Sequence, residues 1–212
     1  MELTWLGHSC FRVRSREAIL VMDPPGAEWG SLGKLQADIV TISHQHVGHN
    51  NPAAIAGDPL VLTSPGEYEV KDVLILGIGT HHDTVKGAER GKNTVFLLEL
   101  EDLTVCHLGD LGHVPTASQV EDLGDVDVLL IPVGGVTTLT PSSAVETINL
   151  LEPRIVVPMH YRDERHRTDL EPLEKFLKEI GVAETQPQPR LSLTRSSLPQ
   201  DRQIVVLESR AP

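Results

Sequence analysis

The stretch ISHQHVGHNN, residues 42–51, places His44, His46 and His49 within a single short run. Neutral imidazole is the commonest metal ligand near neutral pH. Three imidazoles with so little chain between them suit zinc or a similar divalent ion. The run follows the apolar segment ADIVTIS. If the backbone stays extended past that segment, His44 and His46 point to the same side. Gly48 then allows a turn that brings His49 back. The alternative is a polar loop that merely holds histidines. With 10 histidines in 212 residues, a chance cluster of three is a poor explanation.

Other apolar runs end in the same way. VLILGIGTHHD ends in His81, His82 and Asp83. LTVCHLGDLGH carries His107 within the run, Asp110 at its end and His113 beyond. RIVVPMHY ends in His160. In layered α/β folds, ligand sites gather at the C-terminal ends of strands. One such residue would be read as structural, whereas four strands delivering imidazole or carboxylate form a pattern.

The elements that must position these groups are short. LTWLG, CFRVRS, AILVMD, ADIVTIS, PLVLTS, VLILGIG, NTVFLLEL and LTVCHLGD read as strands, separated by turns rich in Gly, Pro, Asp and Ser. Several are apolar almost throughout, which predicts burial on both faces. DVLLIP, RIVVPMH, RLSLT and QIVVLES follow as later strands. Thr116-Ala-Ser-Gln119 has the form of a capping box before VEDLG. Thr140-Pro141 places a cap before a proline ahead of SAVETINLL. Thr168-Asp-Leu-Glu171 reads as another capping box, opening LEPLEKFLKEIG with Gly181 as its stop. No internal repeat interrupts the pattern. ETQPQPRLSLTRSSLPQDR reads as a surface connection, so residues 1–212 are expected to form one layered domain.

Composition narrows the partners. Aromatics are only 3% of the chain, so the core rests on Val, Leu and Ile. The formal charge of −12 disfavours a nucleic-acid partner, which calls for a basic patch. It leaves room for a small anionic substrate, because a metal supplies local positive charge. Cys10 and Cys106 lie in apolar runs without a CxxC and read as buried thiols in a reducing compartment. MELTWLGHSCFRVR carries charge from its second residue and lacks the apolar region of a signal peptide. No run approaches a membrane span in length. A soluble, cytoplasmic protein with no membrane partner is expected.

SHQHVGHNN resembles the HxHxDH signature of the metallo-β-lactamase superfamily, and THHD, HLGDLGH and VPMHY follow in the family's order. WLGHSCF, VMDPPG, SPGEYEV, ERGKN and IPVGG resemble the small bacterial metal-dependent hydrolases near the ascorbate-6-phosphate lactonase group. The resemblance covers essentially the whole chain. It implies an α/β fold of the four-layer αββα type. It also implies a first metal site from His44, His46 and His82, a second completed by His49 and His160, and Asp110 bridging the two. His82 is preferred to His81 because it stands beside Asp83. The reaction implied is attack of metal-bound hydroxide on an ester, lactone or phosphodiester of a small molecule. Zinc fits this ligand set, as do manganese and iron, with one or two ions bound.

The chain departs from the motif at Gly48, where the family carries an acid. Three readings are open there. The enzyme works with one tightly held metal; a neighbour such as Asp83, or a water held by Asn50, stands in; or hydrolysis is lost and metal or ligand binding is kept. Restoring the acid by Gly48→Asp is expected to raise the metal content. Around the ligands, His8 is expected to take part in catalysis or to bind substrate. Asp23 is expected to brace a ligand histidine or form a turn, and His113 to line the pocket. His107 reads as a core residue and His166 as solvated. Gly134-Gly135 could bring backbone N–H groups to an anion. Glu67 and Tyr68 carry no evident role. A nuclease of the same superfamily is disfavoured by the charge, and a flavin-linked diiron role by the lack of a flavodoxin-like segment.

Overall fold

Alternation along the strands builds the core. In Glu2–Gly7, Leu3 and Trp5 face one way and Leu6 the other; in Ile19–Met22, Leu20 and Met22 oppose Val21. The structure, a computed structural model, describes residues 1–29, 32–162 and 169–210. His166 and Thr168 lie outside the described residues.

One sheet runs in the order Leu191–Ser192, Glu2–Gly7, Cys10–Arg14, Ile19–Met22, Ile39–Thr41, Leu60–Leu62. The other runs Gln203–Ile204, Ile155–Met159, Val128–Pro132, Leu103–His107, Lys92–Leu100, Val73–His81, Gly66–Val70. Leu3, Trp5, Phe11 and Leu20 of the first meet Phe96, Leu98, Val105, Leu130 and Val157 of the second in one inter-sheet cluster. Phe11 and Phe96 are fully buried within it. Burial of each such side chain contributes about 1.5–3 kcal/mol.

The outer face of the second sheet presents Leu97, Cys106, Leu129, Ile131 and Val156. These pack against Leu123 of α1 (Ala117–Leu123), Ala144 and Ile148 of α2 (Pro141–Leu151), and Phe176 and Leu177 of α3 (Leu173–Glu179). The outer face of the first sheet, with Leu6, Cys10, Val21, Val40 and Ile42, is covered by Leu35 and Ile55. Those two belong to a ribbon of Leu35–Gln36 and Ile55–Ala56, flanked by the 3-10 turns Ala27–Trp29 and Pro52–Ala54. The layer on that side is made of ribbon and turns, which short Pro- and Gly-punctuated segments favour over a long helix.

The caps at Thr116 and Thr140 form. Thr116 and Gln119 exchange both hydrogen bonds of the box, and Thr140 Oγ1 accepts from Ser143 N. The last helix starts at Leu173, later than its sequence pattern suggested. Pro172 pushes Glu171 toward an extended backbone, and Glu171 N–H donates to Gly134 O instead of entering a helix. Gly181, at φ 79°, closes that helix. Among the described residues no helix is long and apolar enough to cross a membrane. Cys10 and Cys106 are free and buried.

Candidate metal centre

Asp110 stands at the meeting point of the strand ends. Its Oδ2 lies 3.1 Å from His82 Nε2, 3.2 Å from His49 Nε2, 3.2 Å from His160 Nε2 and 3.7 Å from His44 Nε2. All five residues are buried. One carboxylate oxygen has two lone pairs and cannot accept four ring N–H groups at good geometry. His44 Nε2 in addition has no hydrogen-bond partner among the described residues. Buried nitrogens arranged in this way are suited to cations lying among them.

The hydrogen bonds behind two of the rings set their tautomers. Asp23 Oδ1 accepts from Ser43 N at 2.7 Å, and its Oδ2 accepts from Ser43 Oγ at 2.5 Å and from His49 Nδ1 at 2.8 Å. The Ser43 hydroxyl has one proton and gives it to Asp23. Its oxygen therefore accepts from His44 Nδ1–H, 2.9 Å away. His44 is left with a bare lone pair on Nε2, and neutral His49 in the same way. Asp23 thus braces both rings, one directly and one through Ser43. His44, His46 and His82 bring ligand-capable atoms within 4.8 Å of one another, and so do His8, His49 and His160. His44 and His46 do not converge from an extended strand as the sequence suggested. Residues 43–49 form bends and turns, with His49 N–H donating to His46 O.

Burial and neighbouring His49 push His44 down to about 3, so it is neutral across the physiological range. Burial opposes charge on His49 as well, but Asp110 and Asp23 on its two ring nitrogens outweigh it and raise the ring to about 10. Burial likewise works to raise Asp110, yet His160 and His49 hold it well below the usual carboxylate range. The centre thus keeps an ionised carboxylate among imidazoles.

The backbone around the site is tightly specified. His8, Asp23 and His160 adopt φ of 52°, 46° and 51°, a region that costs most residues energy and is tolerated best by Gly, Asn, Asp and His. The His8 carbonyl accepts from the Trp5 indole at 2.9 Å and from His160 N at 3.1 Å, tying the first strand's end to His160. Asp110 N–H donates to Asn93 Oδ1, while Asn93 Nδ2 donates to Thr80 Oγ1 and Leu108 O. His107 is a core residue: it accepts from Gly109 N on one ring nitrogen and donates to Ser9 O from the other. Asn93, Ser43 and Trp29 escaped the sequence reading. Ser43 and Asn93 lie within the stretches SHQHVGHNN and ERGKN, and Trp29 lies three residues beyond VMDPPG, but the residue types alone gave no role.

Several expectations change. Asp83 does not reach a metal position: its two oxygens accept from the amides of Val85, Gly87, Glu89 and Arg90 and organise that loop. Burial tends to raise its pKa, but these four bonds bring it down to about 2. Asn50 donates to Gln45. His113 donates to Val114 O, lies beside His81 and does not line the cavity at the Asp110 cluster. Gly135 N–H is taken by Leu139 O, and a Cβ on Gly134 would collide with the His160 carbonyl. Gly134 therefore provides close approach, while Gly135 takes a left-handed φ of 59° and has no amide left for an anion. Gly48 is not in the left-handed region; its value is space, since a Cβ there would sit 3.1 Å from His8 Nε2 and 3.4 Å from Trp29. Tyr68 donates to Ser64 O, and Glu67 lies in the edge strand Gly66–Val70.

Residues 2–160 match the family model of the β-lactamase superfamily domain. A metal-dependent hydrolase of Salinibacter ruber is 30% identical over 218 residues, covering 85% of this chain and 94% of its own. A crystal structure of a metallo-β-lactamase superfamily protein from Thermotoga maritima is 38% identical, with a TM-score of 0.81 and 97% of each chain covered. A metallo hydrolase from Ignicoccus hospitalis, at 22% identity, shares the fold with a TM-score of 0.64 over 91% of this chain and 99% of its own. The strand-end histidines around Asp110 and these likenesses agree, and the chain belongs to the metallo-β-lactamase superfamily.

Proposed function

We propose that this metal-dependent hydrolase cleaves an ester, lactone or phosphodiester bond of a small molecule. The observation that carries the reading is the approach of four imidazole Nε2 atoms to one oxygen of Asp110. His44, His46 and His82 would hold one divalent ion, His49 and His160 would face a second, and Asp110 would lie between them. Zinc suits so imidazole-rich a set. Such ions, when bound, activate water and polarise the bond under attack.

The chain's own groups divide the remaining work. Asp23 and Ser43 hold His44 and His49 in the tautomers that present Nε2 lone pairs. The cavity over the ligands, about 350 Å³, is at the small end for ligand sites and fits a small substrate. Trp29, Val136 and Leu170 give it an apolar rim that limits water, and its charged wall residues beyond Asp110 and the histidines are Arg90, 3.5 Å from Glu89, and Asp169. A larger cleft, of about 1170 Å³, shares no residue with the histidines, and charged residues in it such as Arg195 and Asp127 pair with each other at 2.8 Å. Its size therefore does not outweigh the chemistry of the smaller cavity.

The test is a hydrolysis screen over lactones, carboxylic esters and phosphodiesters, run on metal-reconstituted and chelator-treated protein. Turnover of at least one class, abolished by chelation and restored by zinc, is expected. Equal rates with and without chelator, or no turnover of any class by protein shown to hold metal, would overturn the proposal.

A further inference from the structure

The motif acid missing at position 48 leaves no gap. A Cβ built on Gly48 would lie 3.1 Å from His8 Nε2 and 3.3 Å from His8 Cδ2, so the His8 ring packs tightly against the point where an acidic side chain would begin. That ring is buried and offers a ligand-capable atom within 4.8 Å of those of His49 and His160. It is also fixed. Trp29 stacks on it at 4.1 Å between ring centroids, the His160 ring lies at 4.3 Å, and the His8 carbonyl accepts from the Trp5 indole and from His160 N. We infer that His8 replaces the motif acid as a ligand of the second divalent ion, joining His49, His160 and Asp110. The inference rests on the reading of this cluster as a two-ion centre.

The chemistry of the exchange is specific. An acid at 48 would bring a hard, anionic oxygen from the loop after Ile39–Thr41. Here a neutral nitrogen comes instead from the end of the first strand, forty residues earlier in the chain. The pair of sites then holds six imidazoles and one carboxylate, Asp110. Imidazole suits zinc, iron, nickel and copper, whereas carboxylate-rich sets suit magnesium and manganese. The second position is therefore expected to prefer zinc over manganese. The two arrangements also compete for space: a Cβ at position 48 lies only 3.1 Å from His8 Nε2, so the ring must give way by a few tenths of an ångström to admit an acidic side chain. Gly48→Asp alone is thus expected to add no metal, contrary to what the motif suggests.

The experiment is zinc content per chain after reconstitution and gel filtration, together with zinc affinity by competition with a chromophoric chelator. The proteins are wild type, His8→Phe, Gly48→Asp and the double variant His8→Ala/Gly48→Asp. Phenylalanine keeps a ring against Trp29 but offers no ligand atom, so circular dichroism and metal-free thermal unfolding are expected to stay near wild type. About two ions per chain are expected in the wild type, about one in His8→Phe, and about two again in the double variant. Cobalt substitution gives a second readout, because its visible spectrum reports the loss of a nitrogen ligand. Two ions held by His8→Phe with wild-type affinity would overturn the role of His8 and leave the metal centre standing. A wild-type chain that takes up no ion would overturn the metal centre itself.

Discussion

Asp23→Asn changes a few atoms and strikes both metal positions. The carboxylate accepts three hydrogen bonds, from Ser43 N, Ser43 Oγ and His49 Nδ1, with no exposed surface. An amide has one acceptor and one donor end. Facing one way, its NH2 meets Ser43 N–H; facing the other, it meets the Ser43 hydroxyl and His49 Nδ1–H. At least one buried donor is stranded in either case, at a cost of about 1–3 kcal/mol. Charge assistance to His49, and through Ser43 to His44, is lost as well. If the hydroxyl reverses to accept from the amide, it donates to His44 Nδ1 and moves that ring's proton onto Nε2, where a ligand lone pair is needed. Taking about 3 kcal/mol for these effects together gives roughly a 100-fold loss of zinc affinity, the upper end of what bracing groups usually contribute. Chelator competition measures the affinity, and urea unfolding of the metal-free protein measures the stability loss. Zinc affinity within about threefold of wild type, in a variant whose fold is intact, would show that the brace does not govern the ligands.

Gly134→Ala sets a methyl against the His160 carbonyl, and overpacking of this kind costs about 1–3 kcal/mol. Reduced zinc content with circular dichroism unchanged is expected, and full metal content would show that His160 does not depend on that close approach. The pH behaviour follows from His49, raised to about 10 in the metal-free protein by Asp110 and Asp23. A group raised above its unfolded value of about 6.5 stabilises fully below that pH and loses its contribution as pH rises through about 10. Metal-free protein should therefore weaken between neutral pH and about 10. Zinc, which needs neutral imidazole, should displace about one proton per chain from His49 at pH 7. Calorimetric titration in buffers of differing ionisation enthalpy reads that proton, and identical enthalpies in all buffers would count against it.

The residues that meet around Asp110 are legible because most of them follow an apolar strand, a local pattern. His82 is told from His81 by its neighbour Asp83, and it is His82 whose Nε2 reaches Asp110. Gly48 was read as a turn and as a deficit because both are local inferences. That a side chain there would press on His8, forty residues away, is a contact between two segments that no spacing rule encodes. Asn93 ends the ERGKN stretch and opens the strand NTVFLLEL, and nothing in either run shows that its side chain holds the Asp110 amide. Asp83 looked available as an acid near the ligands. Its oxygens prove to be filled by four amides of its own loop, a demand that appears only once that loop is closed. The ribbon and turns over the first sheet were missed because two-residue strands carry no periodicity to read.

The most direct measurement is divalent metal per chain in wild type and in Asp110→Ala after identical reconstitution. About two ions in the wild type and almost none in a folded variant are expected, because all four Nε2 atoms converge on that one carboxylate oxygen. Equal metal in the two proteins would contradict the reading of Asp110 as the residue between two cations.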